Sequence, residues 1–221
     1  MSNPLAGMIG EQLELADYYA DFERNFWVAT SFWKLERGQT FAEPGNASWE
    51  AFDGGDWDKS LDLLEADRPA LREYHERVAA LGVEPRRVRI VEFPITPYLQ
   101  WELHALAIRD ECGGPVRVLP ATGIADLEVG GPLPDVHTVG DEVMYEAVYD
   151  CNGVLKGARR FDGRDGVRRC RDLIVSLFDR AEPLADFFAR EVAVLPTPHL
   201  GRRRLPDGYL ERAGRPRPIR S

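Results

Sequence analysis

Cysteine is scarce in this chain: Cys112, Cys151 and Cys170 are three in number, with no close pair. That argues against a disulfide framework and a zinc ribbon, and it fits a reducing, cytoplasmic setting. Only four histidines are present. None is paired at i, i+4, and C-x-x-C is missing too, so no metal and no cofactor is expected. A carboxylate-only magnesium site would leave little trace in a sequence. No apolar run approaches the roughly 18 residues that cross a bilayer, so no membrane role is expected. The opening residues, MSNPLAGMIGEQLELADYY, show neither a basic start nor a continuous apolar stretch, and secretion is not expected. The phosphate-binding loop G-x-x-x-x-G-K-S/T, the dinucleotide fingerprint G-x-G-x-x-G and the nucleophile elbow G-x-S-x-G are all missing. Lysine is limited to Lys34, Lys59 and Lys156, so the basic residues are nearly all arginine.

What is present suffices for a real core: 221 residues, 44% of them hydrophobic. One domain over residues 1–188, with an N-terminal helical arm, and an Arg/Pro-rich extension over 189–221 is the expected organisation. Residues 200–221 hold seven arginines against Asp207 and Glu211, a net of +5, while the whole chain carries −9. The acidic body makes nucleic-acid binding unlikely except through this tail. The tail is equally open to folding back, to a partner, or to being a solvated terminus.

Along the chain, residues 11–33 read as helical, with Leu13, Ala16, Tyr19 or Ala20, Phe26 and Trp27 near helical spacing. Residues 31–41 hold a short strand. Residues 44–55 read as turn-rich, with Trp49, Phe52 and Trp57 pinning the segment to the core. Residues 67–81 are a helix that Asp67 can cap, with Pro69 in its first turn and Gly82 after its end. Residues 87–93, RVRIVEF, form a strand stopped by Pro94. Thr96 then caps a helix with Pro97 in its first position, and Gly113 and Gly114 close it. Residues 115–119 are a second strand, making a parallel crossover with the first. After a loop over 121–134, strands are expected over 136–139, 142–149 and 154–160, with Asn152-Gly153 as a hairpin turn. Residues 167–180 show the i, i+3, i+4, i+7 spacing of an amphipathic helix. The fold class is therefore α/β or α+β: a mixed sheet of about six strands with flanking helices.

Five blocks in this order, FWKLE (32–36), RRVRIVEFPITPYLQWEL (86–103), GPVRVLPA (114–121), LPDVHTVGDEVMYEAVYDCNG (133–153) and LFDRAEPL (177–184), resemble the actinobacterial domain-of-unknown-function family 6879 over roughly residues 15–188. The resemblance implies no settled activity. It implies a regulatory context for some members, which occur beside helix-turn-helix regulators. More distantly, the architecture is similar to one half of the phospholipase-D-like fold. Its catalytic members need His-x-Lys, and none of the four histidines here has a lysine two residues on. That disfavours phosphodiesterase chemistry, and the analogy is to the fold alone.

The residues that could carry chemistry gather around the crossover. Glu92 ends a strand whose carboxyl edge is where ligands of open sheets collect. Tyr98, Trp101 and Glu102 lie within about one helical turn, with His104 just beyond. Together they read either as a pocket with an aromatic wall and an amine-binding carboxylate, or as a helix packed by aromatics. Lys34 and Glu36 share a face of their strand. His137 stands between Asp135 and Asp141. It reads as a general base, or as a filler of an aromatic slot, since the resemblance places an aromatic residue near this position. Cys151 and Cys170 read as structural.

Two functions stay open. One is a non-catalytic binding or regulatory module that senses a small molecule or docks a protein partner through Lys34, Glu36, Glu92, Tyr98, Trp101, Glu102 and Asp141. The other is an enzyme of specialised metabolism using Glu36, Glu92, Glu102 or His137 as acid and base.

Overall fold

A computed structural model describes residues 5, 7–83 and 85–198 of the chain. The elements in order are β1 (Glu11–Glu14), α1 (Leu15–Phe26), β2 (Phe32–Glu36), α2 (Ala47–Asp53), α3 (Trp57–Ala66), α4 (Arg68–Ala80), β3 (Pro85–Val91), α5 (Pro97–Glu111), β4 (Val116–Pro120), β5 (Val136–Val139), β6 (Val143–Tyr149), β7 (Leu155–Asp162), α6 (Arg164–Arg180), β8 (Glu182–Pro183) and α7 (Leu184–Phe187). One mixed eight-stranded sheet runs in the order β1-β7-β6-β5-β2-β3-β4-β8. β2, β3 and β4 are parallel, and every other pairing is antiparallel. The mixed α/β class is therefore as the sequence predicts, and α5 makes the predicted parallel crossover from β3 to β4.

The sheet has eight strands rather than about six. Part of the expected helix over 11–33 is β1, which lies antiparallel on β7 with Leu13 opposite Ala158. The approach needs Gly157: a Cβ there would fall 2.0 Å from the Leu13 carbonyl oxygen. The second unforeseen strand, β8, has two residues paired with Arg117 and Val118. The turn-rich segment 44–55 holds α2, because the Asn46 side chain accepts from the backbone N–H of Ser48 and Trp49. α3 follows, capped by Asp56. A reciprocal pair locks the two helices together. Ser48 Oγ donates to the Ser60 carbonyl at 2.9 Å, and Ser60 Oγ donates to the Ser48 carbonyl at 2.8 Å. Trp49 and Phe52 are buried there, as expected. Asp67 stands at the start of α4, but its side chain makes no cap bond because its backbone is already helical. Thr96 does cap α5, its Oγ1 accepting from Leu99 N at 3.0 Å.

The two faces of the sheet differ in chemistry. Leu35, Val88, Ile90, Val136, Met144 and Phe161 point to one face and pack against Val167, Cys170, Ile174 and Leu177 of α6. Burying each large side chain of this kind is worth about 1.5–3 kcal/mol. A charge at Ile174, in the middle of this layer, would break it. The alternate residues point to the opposite face. There α1 covers β6 and β7 through Phe22 and Phe26, and α5 covers β4 through Leu99, Leu103 and Leu106. Between α1 and α5, over β2 and β3, this second face carries Lys34, Glu36, Arg87 and Arg89 instead of an apolar layer. Among the described residues, no helix is long and apolar enough to cross a membrane.

Candidate functional site

Strand periodicity and register build the charged layer. Parallel pairing sets Lys34 beside Arg87 and Glu36 beside Arg89, and antiparallel pairing sets His137 on the other side of Lys34. Side chains two apart on a strand share a face, so all five point toward α1 and α5. From above, α5 contributes Tyr98 and Glu102, one turn apart.

Two linked groups result. Glu36 receives Lys34 Nζ at 2.8 Å and Arg87 Nη1 at 2.9 Å. Arg89 donates from Nε to Glu102 at 2.7 Å. Its Nη1 donates to the carbonyls of Glu36 at 3.2 Å and Ile90 at 3.1 Å. Tyr98 donates its phenol to Glu43 at 2.6 Å, and Glu102 lies 3.4 Å from the same oxygen. Phe41 lies edge-on to Tyr98 and stacks on Tyr149, with centroids 4.6 Å apart, adding aromatic surface beside Glu43. The Arg89 side chain is wholly enclosed, whereas Lys34 keeps 23% exposure and Glu36, Arg87 and Glu102 each keep 10%. The layer therefore reaches solvent at Lys34 and is sealed at Arg89.

The electrostatics are uneven along the layer. Arg87, Lys34 and Arg89 hold the Glu36 carboxyl well below the usual range despite its burial. Burial pushes Glu102 up to about 7; Arg89 opposes this, while Glu36 and Glu43 add to it. Glu43 is also raised, first by burial. Lys34 is lowered by burial, with Glu36 opposing. The Glu43–Tyr98–Glu102 end thus has more carboxyl groups than cations to balance them. A cation arriving there would favour the ionised carboxylates.

The structure brings Lys34, Glu36, Tyr98 and Glu102 together and leaves the other candidates outside. Trp101 is 2% exposed, stacks on Phe52 at 5.8 Å and donates Nε1–H to Ser48 Oγ at 3.0 Å. It belongs to the core under α2 and α3, its ring 5.5 Å from that of Tyr98. Glu92 is 49% exposed and pairs at 2.6 Å with Arg37, which also binds Glu128. Asp141 lies at the turn between β5 and β6, held by Arg171 and, at 3.8 Å, by Arg168 of α6. His137 neighbours Lys34 but packs as an aromatic, with its ring 5.2 Å from Tyr145 and edge-on to Phe22. The Tyr18 hydroxyl lies 3.4 Å from its Nε2. Burial depresses its pKa well below the ordinary value, so it stays neutral. His104 sits elsewhere, edge-on to Phe188 and Trp57, in a recess of about 430 Å³ between α3, α5 and α7.

Sequence reasoning missed Glu43, Arg87 and Arg89. Glu43 lies in irregular chain and carries no periodic signal. The two arginines had one: they alternate with Val88 and Ile90 in a central strand. Among the described residues, no three His, Cys, Asp or Glu side chains converge so as to hold a metal ion. The arginine-rich residues 200–221 lie outside the described residues.

A family model described as "Domain of unknown function (DUF6879)" matches residues 16–189, a span from α1 through α7. No curated protein matches the chain.

Proposed function

Since the chain belongs to the family of the domain of unknown function DUF6879, we propose that it is a non-catalytic binding module of regulatory type. Its charged layer receives a small molecule bearing an amine. The observation that carries this reading is the cluster of Glu43, Tyr98 and Glu102, two carboxyl groups on one phenol, with Arg89 as the single cation bonded to them among the described residues. Buried ion pairs are a poor source of stability, because desolvation offsets much of their attraction. A fold that keeps this many charges in one layer reaching solvent at Lys34 is better explained by something that binds there. An ammonium group would sit between the two carboxylates, with Phe41 and Tyr149 supplying aromatic surface beside it. Glu43, Tyr98 and Glu102 would make the contacts, and Lys34, Glu36 and Arg87 would set the far wall. The other occupant consistent with the layer is a basic side chain of a protein partner, a helix-turn-helix regulator among the candidates. The likeness to a non-catalytic phospholipase-D-like half agrees with a sensing role but adds no contact.

The test is native mass spectrometry of the purified protein, followed by calorimetry with whatever amine is retained. The expected result is a bound small molecule whose affinity falls on Glu102→Gln and on Glu43→Gln while the circular dichroism spectrum is unchanged. Equal affinity in all three proteins would refute the site.

One observation favours a second reading, an acid–base enzyme of specialised metabolism. The Glu102 carboxyl is pushed up to about 7, the range in which a carboxyl can both give and take a proton. Turnover of a metabolite that Glu102→Gln abolishes, with folding intact, would establish it in place of the first.

A further inference from the structure

A different feature lies beyond Arg87, at the opposite end of β3 from Glu92. There a small half-open recess of about 10 Å³ separates α4 from the last turns of α5. That measure is about the room needed by one water or one ligand oxygen. Its lining includes Phe32, Tyr74, His75, Arg87, Arg109 and Gly114.

Three observations set it apart from an ordinary packing defect. His75 is 4% exposed, and neither of its ring nitrogens has a hydrogen-bond partner among the described residues. Buried polar groups nearly always have partners, so two orphan nitrogens on a ring that lines a recess call for an occupant. Second, Arg109 extends the polar stripe of α5 beyond Tyr98 and Glu102, yet no carboxylate of the described residues lies within ion-pair distance of it. Burial and the like charge of Arg87 together pull its pKa down to about 10, with Tyr74 and Glu36 opposing. Third, Gly114 lets His75 approach closely. A Cβ there would stand 2.5 Å from His75 Cε1, 2.7 Å from His75 Nε2 and 2.9 Å from Arg109 Cγ, so any side chain would displace the ring and the Arg109 stem.

We propose that this recess is an oxyanion site, taking one oxygen of a carboxylate or phosphate group whose remainder stays outside it. Arg109 and an N–H of His75 are its principal donors, and Arg87 lies at its rim. Arg109 is partly buried beside a second guanidinium, and an anion at this point offsets their repulsion. The site stands apart from the amine-binding reading: it shares only Arg87 with it and needs none of Glu43, Tyr98 or Glu102.

The experiment is an NMR titration of the full chain, following the ring ¹⁵N resonances of His75. Sodium phosphate and sodium acetate are added in separate arms, with sodium chloride as the control at matched ionic strength. The expected result is a saturable shift at His75 with phosphate or with acetate, and the arm that saturates identifies the group. Arg109→Met should weaken that binding about tenfold or more. Gly114→Ala, which keeps both donors but forces the His75 ring and the Arg109 stem to shift, should weaken it as well. Because the wild-type titration needs no variant, the proposal stays exposed even if both variants fold poorly. No saturable shift at His75 in either arm overturns it. So does an equal shift with chloride, or binding that Arg109→Met leaves unchanged.

Discussion

Replacing Glu102 by glutamine removes one ionisation from the charged layer and leaves its outline intact. In the fold this carboxyl is pushed from its ordinary 4.5 up to about 7, chiefly by burial. A carboxyl raised in the folded state keeps its proton over a range where the unfolded chain has lost it. The stability it confers is therefore fully present below about pH 4.5 and is lost as pH rises through about 7. At about 1.4 kcal/mol per pH unit, the loss across that window is a little over 3 kcal/mol. Glutamine does not titrate, so the variant escapes the loss. Asp135 and Glu43 are also raised by burial, but they remain in both proteins and largely cancel in the difference. Urea denaturation of both proteins at intervals from about pH 4.5 to 8 gives that difference directly. Glu102→Gln should gain on the wild type as pH rises, by up to about 3 kcal/mol. A flat difference, or one that moves the other way, would show Glu102 ionised against Arg89 throughout. The carboxyl-rich end of the layer would then be an ordinary closed ion pair, and the amine-binding argument would lose its electrostatic basis.

Three further outcomes follow from the same geometry. Glu102→Leu leaves the fully enclosed Arg89 with only two carbonyl acceptors, and a guanidinium cannot shed its proton. It should cost about 3–5 kcal/mol, most of it recovered by adding Arg89→Met; strictly additive effects in a double-mutant cycle would contradict the pairing. His75 is pulled down to about 4, first by burial and then by Arg109 and Arg87. The stability of its neutral form is full above about pH 6.5 and is lost as pH falls toward about 4, by roughly 3 kcal/mol; a ring titration by NMR with an ordinary midpoint would refute this. Trp101→Phe breaks the bond to Ser48, which keeps its contact with Ser60. It should cost about 1–2 kcal/mol in denaturation with no effect on a ligand at Glu102, and lost binding at unchanged stability would return Trp101 to the site.

The parallel crossover was legible because its signals are local: β-branched residues in β3, a threonine cap, a proline in the first turn of α5, glycines after its end. The strands β1 and β8 were not, because four and two residues carry no period of their own and become strands only by pairing. The site is an intermediate case, and α5 shows why. At 100° per residue, Glu102 lies about 40° from Tyr98 around the helix, whereas Trp101 lies about 60° away on the other side. Grouping by nearness in sequence placed both in one pocket, but the boundary between core and charged layer runs between them. Glu102 and Arg109 trace the polar stripe and Trp101, Ile108 and Cys112 the core stripe, while Tyr98 joins the two, its ring in the core cluster and its hydroxyl on Glu43. The strand beneath held a matching clue. A central strand of a parallel sheet is buried on both faces and ordinarily reads as a continuous apolar run. β3 instead alternates arginine with valine and isoleucine, although it lies between β2 and β4. In a two-sided core, that alternation requires acceptors on the covering helix. The stripe on α5 supplies one for Arg89 in Glu102 and supplies a further cation in Arg109. That imbalance, visible only once strand and helix are superposed, is the physical ground for placing an anion beside His75.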